Sequence, residues 1–242
     1  MIHLFSRKCL GMAALASLCF LFSCTQNALS GKNQLTMLPE AEVQSLASSQ
    51  YTDFIKTHAV VNPKTNVNAA MVNRVGLNIT KAVNRYYASK NNTALLSGYN
   101  WEYNLVNDNA INAWCMPGGK IAFYTGILEQ LQLNDDEVAM IMGHEMAHAL
   151  REHSRERLAK SKATSMGLSV ASQLLGLGQM GDVAANLGTQ LLSLKYGRDD
   201  ETEADLVGLE IAARGGFKPE ASVQLWKKML SATGGGKGQP SF

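Results

Sequence analysis

Apolar positions recur at three-to-four spacing from Pro39 onward. Val43, Leu46, Tyr51, Phe54 and Ile55 share one stripe of "PEAEVQSLASSQYTDFIKTH", which predicts an amphipathic helix. A second stripe, Val67, Met71, Val75, Ile79, Ala82 and Tyr86, predicts a helix opening at Pro63 and running to about Ser89. After a polar loop, "KNNTALLSG", the period changes to two: Trp101, Tyr103 and Leu105 alternate with Glu102 and Asn104, the pattern of a half-buried strand. Pro117-Gly118-Gly119 then marks a turn between two short strands in "NAWCMPGGKIAFYTG". From there the chain is helical again. Asn134 has the character of an N-cap, with Asp135, Asp136 and Glu137 in the first turn, and the helix is expected to run to about Lys162. The glycine-spotted apolar stretch over residues 165–195 reads as a helical hairpin broken near residues 176–182, suited to burial or membrane contact. "RDDETEADLVGLEIAARGG" is a further helix stopped by Gly215-Gly216, with another opening at Pro219. The fold class expected is α+β, mostly helical, with one small antiparallel sheet in a single domain.

Composition narrows the function. With 46% apolar and 17% charged residues in 242, the chain has the balance of a folded globular protein. Its net charge of +2 includes Arg7 and Lys8, which head an apolar leader; without them Lys+Arg equals Asp+Glu at 20. No basic field is left to attract nucleic acid. The leader ends in "LFSC", residues 21–24, with the spacing of a bacterial lipobox, so Cys24 is expected to be lipidated after removal of residues 1–23. Residues 24–37 then form a lipidated tether. The apolar run is short and followed by polar "TQNALSGKNQ", which argues against a retained membrane span. The remaining domain keeps one cysteine, Cys115, in apolar "NAWCMP"; it cannot form an internal disulfide and is expected to be buried.

The chemistry is concentrated in "MIMGHEMAHALREH", residues 140–153, which hold three of the chain's five histidines. His144 and His148 are four residues apart on a helix, so both imidazoles leave one face about 40° apart, as two zinc ligands require. Glu145 sits beside them as a general base. Apolar neighbours such as Ile141, Met142 and Met146 fit a buried metal helix better than a solvated one. On a continuous helix His153 would point about 140° away from His148, and Glu152 would lie about 12 Å from His144, so neither serves as a ligand. The third ligand is sought in "DDETEAD", residues 199–205: Glu201 and Asp205 share a face. Glu201 can complete a two-histidine, one-carboxylate site with an open fourth position, while Asp205 can hydrogen-bond the far nitrogen of a ligand histidine. Glu203 falls on the opposite side and suits an ion pair. Tyr196 and Arg198, close to this motif, are candidates for stabilising an oxyanion or simply for packing.

"NALSGKNQL", "NAWCMPGGKIAFYTGIL", "GHEMAHALREHSRER" and "YGRDDETEADLVGLEIAARGGFKPEAS" occur in one order along residues 27–222. In these motifs the chain resembles the HtpX/Oma-like zinc metallopeptidases, peptidase family M forty-eight of gluzincin type, in a bacterial lipoprotein form. The resemblance implies a zincin-like active-site helix beside the sheet, one Zn2+ per chain held by His144, His148 and Glu201, Glu145 as catalytic base, and Asp205 as an orienting or proton-donating catalytic residue. It makes residues 38–242 the metallopeptidase domain. It implies polypeptide substrates, unfolded or misassembled proteins of the envelope, laid against the edge of the "NAWCMPGGKIAFYTG" hairpin. In relatives a Ser-Thr-His-Pro-like motif follows the glycine-rich stretch, and the sequence ends at Phe242 just short of it, so a truncated C-terminus is expected. The location expected is the bacterial cell envelope, lipid-anchored through Cys24 and facing the periplasm; Thr25, where an inner-membrane lipoprotein commonly carries aspartate, favours the outer membrane. Two other readings stand beside the peptidase: a zinc-bound envelope chaperone or assembly factor with little proteolysis, and a lipoprotein whose metal only stabilises the fold.

Overall fold

In the computed structural model these patterns resolve into helices and short strands; residues 24–26, 33–35, 38–174, 191 and 195–232 are described. The leader and lipobox residues before Cys24, and most of the expected apolar hairpin, lie outside the described residues. Contacts divide the chain into two units, residues 1–40 with 155–185 and residues 41–154 with 186–242.

In the first unit, β1 (Cys24–Gln26) pairs antiparallel with β2 (Asn33–Leu35). Arg155 donates from Nε to the Leu38 carbonyl at 2.6 Å, and Lys160 pairs with Glu156 one helical turn away. The site lies in the second unit.

There α1 (Glu40–Thr57) buries Val43, Ala47, Tyr51 and Phe54; Val43, Tyr51 and Phe54 belong to the predicted stripe, whose Leu46 and Ile55 are half-buried. The next helix, α2, spans Val67–Ser89 and begins later than expected. Asn62 explains the delay: its carbonyl and side chain accept from Lys64, Thr65 and Asn66, so Asn62-Pro63 closes a turn instead of opening a helix. Asn66 is the true N-cap, accepting from the Ala69 N–H at 3.0 Å.

Strands β3 (Glu102–Val106), β4 (Ala113–Met116) and β5 (Lys120–Tyr124) form one sheet in the order β3-β5-β4. The hairpin β4–β5 is antiparallel and turns through Gly118 and Gly119 at φ +82° and +84°, a conformation glycine adopts without penalty. β3, however, pairs parallel with β5, Tyr103 opposite Ile121, so the sheet is mixed where a wholly antiparallel one was expected. Alternation marks which residues are strands but carries nothing about pairing order. Here residues 107–112 carry the chain from one edge of the sheet to the other, fixed by the Asp108 carbonyl accepting from Gly126 N–H and Thr125 Oγ1. Trp114 meets Phe54 edge-on at 4.9 Å and Tyr51 at 5.9 Å, which seats α1 on the sheet.

The remaining helices are α3 (Thr125–Leu131), α4 (Asp135–Leu150), α5 (His153–Leu174), α6 (Arg198–Arg214) and α7 (Ala221–Ala232). α4 is buried all round from Val138 to Leu150, flanked by β4, α2, α6 and α7. Its pairing with α6 is the most extensive between any two elements. Among the described residues no helix is long and apolar enough to cross a membrane.

The expected single helix through to Lys162 is instead two. α4 stops at Leu150, Arg151 caps it, and Glu152 takes a left-handed φ of +55° before α5 starts at His153. No glycine, proline or asparagine announces this break. It rests on tertiary contacts made by Arg151 and His153, described below.

Candidate active site

The phase of α4 is set at its first residue. Asn134 Oδ1 accepts from the Glu137 N–H and the Glu137 carboxylate accepts from the Asn134 N–H, both at 3.0 Å, a reciprocal cap. Asp135, Asp136 and Glu137 place negative charge at the positive end of the helix. From this start His144, Glu145 and His148 all fall in the buried centre of the unit, where each polar atom needs a partner.

Those partners come from α6, which crosses α4 at backbone contact. A Cβ on Gly208 would lie 2.5 Å from His144 N, and one on Gly143 would lie 2.4 Å from the Gly208 carbonyl oxygen. Only two glycines allow that approach. It brings Glu201 and Asp205, one turn apart on α6, up to the histidines. His144 Nδ1 is 2.8 Å from Asp205 Oδ1. The other ring nitrogens converge: His144 Nε2 is 3.1 Å from His148 Nε2 and 3.4 Å from Glu201 Oε2, and His148 Nε2 is 3.9 Å from Glu201 Oε1.

The arrangement fits a zinc ion. Bonds of about 2.0–2.1 Å in a tetrahedron separate ligand atoms by about 3.3–3.4 Å; the separations of 3.1 and 3.4 Å found here are close to that, and the third, 3.9 Å from His148 to Glu201, is longer. The charge distribution agrees. Burial works against a charge on His144, but hydrogen bonds to Asp205 and Glu201 and the nearby Glu145 outweigh it and push its pKa up to about 10. His148, buried and next to the His144 charge, is pushed down to about 2 and so offers a lone pair. The carboxylates thus favour a positive charge at His144, while burial disfavours one at His148. Burial is also the largest influence on Glu145 and raises it to about 7, in the range of a general base working near neutrality. A backbone hydrogen bond from Cys115 on β4 steadies one side of its carboxylate, while Oε1 is buried with no hydrogen-bond partner. An orphaned acceptor of that kind beside three residues able to hold a metal is where a reacting proton can be taken up.

His148 has its own surroundings. Tyr196 stacks flat on its ring, centroids 4.0 Å apart, and the Tyr196 hydroxyl meets Ser154 Oγ at 2.7 Å. Tyr196 is therefore engaged in packing His148, and Arg198 is exposed. His153 does not point away as a continuous helix would require: the break at Glu152 swings its Nδ1 to 2.9 Å from His148 Nδ1. Arg151, fully buried, forms an ion pair with Glu203, which matches the role expected of Glu203. Cys115 is buried, its thiol pushed well up by desolvation. Beside His144 and Asp205 opens a cavity of about 180 Å³ walled by Met140, Ile141, Leu206, Leu209, Leu225 and Trp226.

A model of peptidase family M48 matches residues 77–234, a span that contains every one of these groups. The chain belongs to peptidase family M48. It is 36% identical over 140 residues to the mitochondrial metalloendopeptidase OMA1 of Schizosaccharomyces pombe, covering 57% of this chain and 40% of that protein. It is 29% identical over 147 residues to the metalloprotease YcaL of Escherichia coli, covering 58% of this chain and 55% of YcaL. With the beta-barrel assembly-enhancing protease of Escherichia coli the identity is 25% over 136 residues, 52% of this chain and 27% of the relative. The chain thus spans between about a quarter and just over half of the length of these relatives.

Sequence reasoning overlooked Gly143, Gly208 and the role of Arg151, and set His153 aside as pointing away from His148. The glycines did carry a signal, since an isolated glycine inside a helical pattern costs about 1 kcal/mol against alanine and calls for a packing reason. Arg151 and His153 carried none, because their placement depends on a helix break that no local residue encodes.

Proposed function

We propose that the protein is a zinc-dependent endopeptidase. The observation that carries this reading is the convergence of His144, His148 and Glu201 next to the unpartnered Glu145 Oε1. Bound between the three ligands, zinc supplies Lewis acidity, polarising a carbonyl and lowering the pKa of water towards about 7. Glu145 takes the proton of the attacking water and passes it to the departing amine nitrogen. Asp205 accepts from His144 Nδ1, fixing the tautomer that leaves Nε2 as a ligand atom. An extended peptide lies along the outer edge of β4, unpaired among the described residues, whose Cys115 also steadies Glu145, and main-chain pairing there favours unfolded segments. The cavity next to His144 receives a large apolar side chain of the substrate.

The substrates we infer are unfolded or misassembled envelope proteins, reached by a lipid anchor on Cys24 that holds the domain at the periplasmic face of the bacterial envelope, at the outer membrane. The lipobox spacing and the name of one Escherichia coli relative, the beta-barrel assembly-enhancing protease, support this setting. Cys24→Ala tests it: the variant is expected to leave the detergent phase in a partition experiment, and unchanged partitioning would remove the anchor from the account.

The activity is tested with zinc content by mass spectrometry and casein cleavage, for the wild type and Glu145→Gln. One zinc in both with cleavage in the wild type alone is the expected result. Zinc in both with cleavage in neither would favour the chaperone reading, and absence of zinc from the wild type would refute the site.

A further inference from the structure

The two ligand histidines are supported in different ways. His144 meets a carboxylate directly, through Asp205. His148 turns its Nδ1 to another imidazole, His153, at 2.9 Å, and the two rings are nearly perpendicular with centroids 5.0 Å apart. Both are buried, so no solvent competes for this contact. We propose that His153 is the positioning residue of the second metal ligand, an acceptor that selects the His148 tautomer and fixes its ring. This rests on the reading of His148 as a ligand.

The tautomers follow from the geometry. A ligating His148 presents a lone pair at Nε2 and therefore carries its proton on Nδ1. That proton has one acceptor in line, His153 Nδ1, which must then hold a lone pair and keep its own proton on Nε2. His153 Nε2 faces Glu203 Oε2 at 3.7 Å, and the other Glu203 oxygen pairs with Arg151. The sequence of groups is therefore ligand, neutral imidazole, carboxylate, guanidinium. It puts an anion at one remove from His148, already balanced by Arg151, whereas His144 has an anion in direct contact. Tyr196, stacked on a face of the His148 ring, holds the ring plane, and His153, at the ring's Nδ1 edge, holds its rotation within that plane. The left-handed Glu152 has a purpose in this arrangement: without it His153 would stay on the far side of the helix.

Three substitutions in the full-length protein test the assignment. The Oδ1 of asparagine falls near the Nδ1 position of histidine, so His153→Asn keeps the acceptor. His153→Gln moves the acceptor out to the Nε2 position, and His153→Leu removes it. The measurements are the zinc dissociation constant, by competition with a chromophoric chelator, and the His148 tautomer from imidazole nitrogen shifts before zinc is added. Expected is a loss of about 10–100-fold in zinc affinity for the leucine and glutamine variants, with asparagine within about threefold of wild type. The wild type and His153→Asn should show the Nδ1-protonated tautomer at His148. Should leucine not fold, the asparagine–glutamine contrast decides alone, since both are short neutral amides. Equal zinc affinity across the asparagine and glutamine variants, whether unchanged or equally weakened, would overturn the assignment. A wild type that binds no zinc yet shows the Nδ1-protonated His148 would refute the metal site while leaving the tautomer selection standing.

Discussion

Gly208→Ala provides a sharp test of how the site is built, because local and tertiary effects have opposite signs. In an isolated helix the change would stabilise by about 1 kcal/mol. Here the new Cβ would lie 2.5 Å from His144 N and 2.7 Å from the Gly143 carbonyl carbon and His144 Cα. Ordinary contact needs about 3.5–4.0 Å, so α6 must retreat from α4 by about 1 Å. Zinc coordination tolerates displacements of about 0.2 Å, and a 1 Å retreat also breaks the 2.8 Å contact between His144 and Asp205. We therefore expect zinc affinity to fall at least 100-fold and stability to drop by about 1–3 kcal/mol from overpacking. Chelator competition reads the first, and thermal melting of the metal-stripped protein reads the second. Gly76→Ala is the control: its Cβ would meet the Tyr103 ring at 2.4 Å, away from the site, so stability should fall with zinc affinity unchanged. A Gly208→Ala protein that binds zinc within threefold of wild type and melts no lower would refute the close-crossing argument.

Asp205→Asn keeps an acceptor for His144 Nδ1 but removes the charge, and should weaken zinc by about tenfold; Asp205→Ala should approach 100-fold, both by chelator competition, and equal affinities for all three proteins would dismiss the support role. Glu203→Ala leaves the buried Arg151 without its partner and should destabilise by about 3–5 kcal/mol, read from urea unfolding, whereas a loss under 1 kcal/mol would mean that the pair is dispensable. Trp226→Ala widens the cavity beside His144 and should change which side chains flank the cleaved bonds of casein, with rate ratios between large and small residues moving about tenfold. An identical cleavage map would place the substrate elsewhere.

How much of this was legible in the sequence depends on whether a feature is local. The spacing of His144 and His148, the cap at Asn134 and the shared face of Glu201 and Asp205 are set within one or two helical turns, and the structure has each of them in place. Hydrophobic alternation likewise located β3, and the Pro117-Gly118-Gly119 turn located β4 and β5. Neither could give their order, because a strand pattern is the same whichever neighbour it pairs with, and the parallel β3–β5 pairing was missed. The break at Glu152 was missed for a related reason. The residue pays a left-handed conformation, of order 1 kcal/mol or more, that only distant contacts can offset: Arg151 to Glu203 and His153 to His148. Extrapolating the helix rotated His153 to the wrong side, so setting it aside as a ligand on that ground hid its contact with His148.

The crossing at Gly143 and Gly208 and the break at Glu152 solve one geometric problem from two sides. A helix carrying two ligands four residues apart directs both Nε2 atoms at one point, but it leaves both Nδ1 atoms facing outward in a buried interior, where an unmet donor costs about 1–3 kcal/mol. The first histidine is met by α6, which must come to backbone distance for a side chain as short as aspartate to reach it. The second lies one turn further on, where α4 ends, so its partner can come from the chain itself once that chain reverses. A continuous helix would have left the need at His148 unmet. On this view the strained residue and the two glycines belong to the site as fully as the ligands do, since they decide where the ligands' far nitrogens find their partners.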